Sequence, residues 1–340
     1  MSADTTSQNP ALPGPANRTL SIILISIFGL FLELLLIRWI GTEVRIFAYL
    51  QNTVLIVCFL GLGMGCFTSH KPARIRNILL PLAIFTLLLA IPLTHAILAN
   101  ITSLLSVLDD LLIWERLATN GGPAKVMYVT SGLILTLGLM VLIWEMFVPI
   151  GRMLGRLMDD QRKIIWVYSV NVAASLVGIW LFVGLSAFSL PPVLWLAIAC
   201  GLLVPMIWKG PERALNLGLA AAVMVGAWFA GYDPEAIESH WSPYQKLVLK
   251  EAGAEHYGWQ GKLINVNNAG YQGMIDLAPE RIAANPHIPA EMRGLSQYDL
   301  PLRFKPQPAG ANNQPKNTLF FAAGPSKPTG VFGRIDASGN

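Results

Sequence analysis

FLELLLIRWIGTEVRIFAYLQNTVLIVCFLGLGMGC, Phe31–Cys66, holds two apolar runs separated by a short segment carrying Thr42, Glu43 and Arg45. A bilayer core about 30 Å thick takes roughly 20 apolar residues of helix to cross. Followed back to residue 19 the first run reaches that length, and the second reaches it over 48-68. Both read as crossings. The same test applied outward gives about seven spans, at 19-40, 48-68, 78-98, 126-148, 164-185, 191-208 and 214-231.

Composition agrees. The 340 residues are 54% hydrophobic and 13% charged, with a mean hydropathy of +0.52, more apolar and less charged than an ordinary soluble domain. The fold class is therefore an α-helical multi-pass membrane bundle, and the lipid bilayer is its first partner. Residues 1-18 are polar and Pro-rich without the basic start of a signal peptide, so the first span is expected to remain as an anchor. The stretch 101-116 mixes Leu104, Leu108, Leu111 and Trp114 with Asp109, Asp110, Glu115 and Arg116, which suits a helix lying at the membrane surface.

Cys58, Cys66 and Cys200 all lie in apolar runs, so neither a disulfide nor a metal site is expected. The net charge of +4 is small and dispersed, which argues against nucleic acid as a partner. HExxH, paired-cysteine and Gly-x-Ser-x-Gly patterns are missing, which leaves zinc hydrolysis and serine-nucleophile chemistry unsupported. Basic residues sort by side. Arg18, Lys71, Arg74, Arg76, Arg152, Arg156, Arg162, Lys163, Lys209 and Arg213 fall on one side, against Arg38, Arg45, Arg116 and Lys125 on the other. The positive-inside rule then makes the amino terminus cytoplasmic and sends the chain after residue 231 outside, in a bacterial inner membrane.

After Gly231 the sequence turns polar. YQKLVLKEA and GKLINVNNAGYQGMIDLA alternate as strands of a small antiparallel sheet, and 279-316, with its seven prolines, reads as a loose connection. The organisation is a polar tail over 1-18, a transmembrane domain over 19-231, a small β-domain over 232-304 and a final segment over 305-340.

Several polar groups lie inside the spans. Glu33 and Arg38 are five apart and share no helix face well. Glu33 is either an internal ion-pair or proton site or a partner in a helix-to-helix hydrogen bond, and Arg38 can snorkel to the headgroups. Glu145 is open to the same two readings. Gly61, Gly63 and Gly65 resemble a phosphate loop but follow no strand; Gly61 and Gly65 have the spacing that lets helix backbones approach closely. Tyr168, Ser169, Asn171 and Ser175 in the fifth span read as interhelical hydrogen-bonding groups, with a ligand pocket as the other reading.

Taken with GRMLGRLMDDQRKIIWVYSVNVAASLVGIWLFVGLSAFSLPP, SPYQKLVL and VNNAGYQGMIDL, the opening stretch is similar to the membrane-embedded spermidine synthase-like proteins of bacteria, from about residue 20 to about residue 304. The resemblance implies a membrane half followed by a small β-domain and a Rossmann-like domain. The soluble relatives transfer an aminopropyl group from decarboxylated S-adenosylmethionine to putrescine. It also implies that Gln245, beside Ser242 and Tyr244, and Gln272 face a nucleotide pocket, that Tyr244 and Tyr298 face the substrate, and that Gly324 belongs to the cofactor loop. A polyamine or nucleotide is the ligand so implied.

NTLFFAAGPSKPTG, Asn317 to Gly330, stands where that loop is expected, with one glycine at Gly324 and with Pro325, which lacks an amide donor. The acidic residue for a ribose is expected about twenty residues on, whereas Asp336 follows Gly324 by twelve. The segment therefore reads as the stump of a Rossmann-like domain, with no catalytic residue assignable and decarboxylated S-adenosylmethionine a co-substrate only if the family activity is retained. The alternative is a non-enzymatic transporter or assembly factor with a relic tail. A membrane-complex or homo-oligomer partner suits either.

Overall fold

The computed structural model describes residues 17–105, 123–159, 163–208, 210, 212–252, 261–275, 318–323 and 331–336. The chain forms two compact units, Met1–Ile275 and Asp276–Asn340.

The first unit carries helices α1 (Arg18–Glu43), α2 (Ile46–Tyr49), α3 (Gln51–Phe67), α4 (Arg76–Ala90), α5 (Pro92–Leu105), α6 (Pro123–Asp159), α7 (Ile164–Ala187), α8 (Pro192–Ile207) and α9 (Arg213–Phe229). Asn17 starts α1 by accepting from the amides of Thr19 and Leu20 at 3.0 and 3.4 Å, which satisfies donors that a helix end leaves open. Among the described residues three helices are long and apolar enough to cross a membrane: Arg18–Glu43, Val126–Asp159 and Ile164–Ala187. Asn52–Phe67, Pro192–Ile207 and Arg213–Phe229 are apolar but shorter.

The run read as a single crossing over 78-98 is broken. α4 ends at Ala90, and the axis turns by 93° into α5. Pro92 has no amide to continue the helical ladder, and the Thr94 hydroxyl donates to the carbonyls of Leu88 and Ile91 at the break. Of the stretch read as a surface helix, residues 101–105 close α5, and the remainder lies outside the described residues.

α3 lies along α6, α1 along α7 and α4 along α9. The first pair is as close as glycine permits. A Cβ on Gly61 would stand 2.8 Å from Phe147 Cβ, and one on Gly65 would stand 2.7 Å from Gly151 Cα. Gly151 and Gly155 of α6 repeat the four-residue spacing of Gly61 and Gly65, so two small-residue stripes face each other. Gly63, by contrast, faces open space. Phe28, Phe31, Leu32, Leu35 and Leu36 of α1 are fully buried, whereas Trp166, Leu176 and Trp180 of α7 are exposed, the belt that a lipid-facing surface needs.

One end of the bundle gathers basic residues. Arg152 donates to the Thr68 hydroxyl at 3.1 Å, Arg156 Nε donates to the Ser69 carbonyl at 3.0 Å, and Arg74 and Arg76 each lie 3.2 Å from Glu212. The sheet meets the opposite end of α1.

That sheet is an antiparallel meander, β1 (Ala236–Trp241), β2 (Lys246–Ala252), β3 (Gly261–Val266) and β4 (Ala269–Ile275), in spatial order β1-β2-β3-β4. β1 is a strand that the sequence pattern did not mark. Asn267 and Asn268 join β3 to β4 with φ of 49° and 60°, the left-handed pair that a tight two-residue hairpin requires and that asparagine tolerates better than most residues. The second unit carries β5 (Thr318–Ala323) and β6 (Val331–Asp336), paired antiparallel. A Rossmann-like start would continue from β5 through a loop into a helix; residues 324–330 lie outside the described residues, and β6 pairs directly with β5.

Candidate functional site

Glu43 ends α1 with its side chain 1% exposed, and three other elements close on it. Lys246, the first residue of β2, brings Nζ to 2.9 Å from Glu43 Oε1. Asn268, from the β3–β4 turn, donates its side-chain amide to Glu43 Oε2 at 2.9 Å. His95, in the first turns of α5, sets Nε2 3.4 Å from the same oxygen, an ion contact when the ring is protonated. Lys246 Nζ also donates to the Gly231 carbonyl at 3.3 Å. Gly231 has φ +74°, and a Cβ there would stand 2.8 Å from Glu43 Oε1, so position 231 requires glycine for both conformation and space.

Beside this pair, Arg38 donates to the Ser242 carbonyl and lays its guanidinium 5.0 Å from the Trp195 ring and 5.9 Å from the Trp241 ring. The two indoles meet edge to face at 5.2 Å. Arg38 therefore does not snorkel free; cation–π contact and a backbone acceptor hold it against the sheet. A buried pair of this kind gains little net stability, because both charges lose water, but removing one partner strands the other. Each Glu43 oxygen accepts a hydrogen bond, from Lys246 and from Asn268, and Lys246 is committed as a donor, so neither is a free base or nucleophile. What the arrangement does is lock sheet to helices.

Further out on the sheet, Lys250 bridges Asp233 and reaches Glu235 at 3.4 Å. Partial burial lowers its pKa, but the hydrogen bond and charge of Asp233, with those of Glu235, outweigh that and hold it above the ordinary lysine value.

Of the residues implied by resemblance, Gln245, Tyr244 and Gln272 are described. Ser242 staples the β1–β2 turn: its hydroxyl donates to the Gln245 carbonyl and accepts from the Gln245 amide, both at 2.9 Å. Gln245 is exposed and Tyr244 is 87% exposed. Gln272 is also exposed; it stands opposite Ile264, which stands opposite Leu249, so both strand order and register separate it from Gln245. Tyr298 and Gly324 lie outside the described residues. Asp336 pairs with Thr318 in the second unit.

Within the helices, the Ser26 hydroxyl donates to Asn171 Oδ1 at 2.7 Å, joining α1 to α7. Tyr168 is exposed, and Ser169 bonds back to the Ile165 carbonyl. Glu145 is exposed. The three cysteines are free, and among the described residues no group of three His, Cys, Asp or Glu is placed to hold a metal ion.

Glu43, His95, Lys246 and Asn268 escaped the sequence reading. The available signal was Lys246 itself, which alternates with Val248 on the inward face of β2; Val248 is 1% exposed and Lys246 is 2% exposed. A lysine at a core position of a strand calls for a buried partner. No protein-family model matches the chain, and no curated protein or solved structure matches it.

Proposed function

We propose that the chain is an integral membrane protein of the spermidine synthase-like kind, whose bundle of about seven spans carries the four-stranded sheet as a fixed platform on the outer face of a bacterial inner membrane and which does not itself transfer aminopropyl groups. The observation that carries this reading is the Glu43–Lys246 pair, buried on both sides and closed by Asn268 and Gly231. It suits a permanent joint. The seven-span count draws support from the two ends of the bundle. The α3–α4 connection meets the end of α6 and the residue before α9 through basic side chains, while the end of α1, the start of α5, Trp195 near the start of α8 and Gly231 after α9 gather at the sheet. Helices α1, α3, α4, α6, α7, α8 and α9 then run alternately between these ends, with α5 turned along the membrane surface.

Gln245 and Gln272 are exposed and apart, which favours a platform over a closed nucleotide pocket. A polyamine, decarboxylated S-adenosylmethionine or a further protein subunit would meet the chain on that outer sheet. A scaffold or transporter unrelated to the transferases is the second reading, favoured by the hairpin β5–β6 where a strand-loop-helix unit would begin a nucleotide fold. Incubating the full chain with decarboxylated S-adenosylmethionine and labelled putrescine tests both. No spermidine above the no-enzyme control is expected; turnover that Gln245→Ala abolishes would overturn the platform reading. Saturable binding of the nucleotide without turnover would favour the transferase-like origin over the unrelated scaffold.

A further inference from the structure

Glu33 lies in the interior of α1, between the fully buried Leu32 and Leu35, and is itself 2% exposed. Its Oε2 has no hydrogen-bond partner, so the helix-to-helix bond open to it on sequence grounds is not made at that atom. Other polar groups of the bundle make contacts of their own, although Arg38 Nε, like Glu33 Oε2, is buried without a hydrogen-bond partner. Arg38 is held by Ser242 and two indoles, Asn171 by Ser26, and Lys246 by Glu43. Of the elements packed on α1, α3 presents Cys58, the titratable side chain close enough to interact with Glu33 electrostatically. α7 presents Asn171 at Ser26 and the backbone-close Gly178 at Ile27; α6 presents Ile150 at Gly29. α8 presents Trp195, which packs on Phe182 and Trp241.

A carboxylate here has no donor at Oε2 to offset its lost water, a cost of several kcal/mol, whereas the neutral acid escapes most of it. A metal ion would need further ligands, and among the described residues no group of three His, Cys, Asp or Glu is placed to hold one.

We propose that Glu33 is a proton-binding site inside the helical bundle, its carboxyl group taking up one proton on one oxygen and releasing it to solvent as the pH rises. The site is independent of any transferase ancestry. Infrared titration of the purified full chain in detergent tests it directly. The carbonyl stretch of a protonated carboxylic acid is expected to persist at a pH where exposed carboxylates such as Glu238 are ionised, and to be missing from Glu33→Gln. It should disappear at higher pH together with a loss of thermal stability that Glu33→Gln does not share. Should the glutamine variant fail to fold, Glu33→Met supplies the reference, and the wild-type spectrum alone still decides. A wild-type spectrum without that band, or a band left intact when Glu33 is replaced, would overturn the proposal.

Discussion

At the scale of single residues, the sheet's attachment rests on charges that have no water to return to. Lys246→Met leaves Glu43 buried with the Asn268 amide as its donor and the His95 contact beside it, and Glu43→Leu strands the Lys246 ammonium; each is expected to lower stability by about 3–5 kcal/mol. The double variant Glu43→Leu/Lys246→Met should be less damaging than either single change, since it removes both desolvation costs. Thermal unfolding of the three in one detergent checks this, and a double variant as unstable as the sum of the singles would refute the joint. Lys250 makes the complementary pH prediction. Its folded pKa lies above the unfolded value, about 10.4 for a free lysine, so its contribution is complete below that pH and is lost as the pH climbs through the folded value. Trp241 fluorescence followed into the alkaline range should report loosening of β1 from β2, and Lys250→Met should flatten that change.

Among the elements, the α3–α6 contact was the most legible from sequence. Four-residue glycine spacing in an apolar run has one common use, and Gly61 and Gly65 have it, with Gly151 and Gly155 as the matching stripe that GRMLG would also have shown. Gly61→Leu/Gly65→Leu is expected to force the two backbones apart and to reduce the yield of folded protein sharply. Gly63→Leu, at a position facing open space, should leave yield unchanged. Equal yields from the two variants would remove the contact from the argument. The apolar runs also marked α1 and α7 to within a few residues, whereas α6 runs on to Asp159, well past the expected end at 148, because hydropathy over a long window is insensitive to where each end falls. It is equally insensitive to Pro92, whose missing amide breaks the third run, so the right-angle turn into α5 went unread. β1 went unread for another reason: its residues lie along the outside of the meander and alternate only weakly. The ion cluster was the least legible, because window-based patterns do not register partners separated by two hundred positions.

For the whole molecule, sidedness is the quantity to measure. With Cys58, Cys66 and Cys200 replaced by alanine, single cysteines at Lys71 and Tyr244, both exposed, should react with a membrane-impermeant thiol reagent from opposite sides: Tyr244→Cys in intact cells, Lys71→Cys only after lysis. Labelling of both from one side would mean that the α4–α5 turn returns the chain to the side it came from. The same long-range joint also has a place in time. Glu43 and Lys246 are 203 residues apart, and a ribosome adding about 5–20 residues per second leaves on the order of ten to forty seconds between the emergence of one and the other. Throughout that interval the carboxylate that ends the first helix is without its Lys246 partner, with His95 the one contact of the finished cluster already synthesised. Docking of β2 and of the β3–β4 turn is therefore a late event of biogenesis, and a nascent chain arrested before Lys246 would present an acidic helix end that the finished protein conceals.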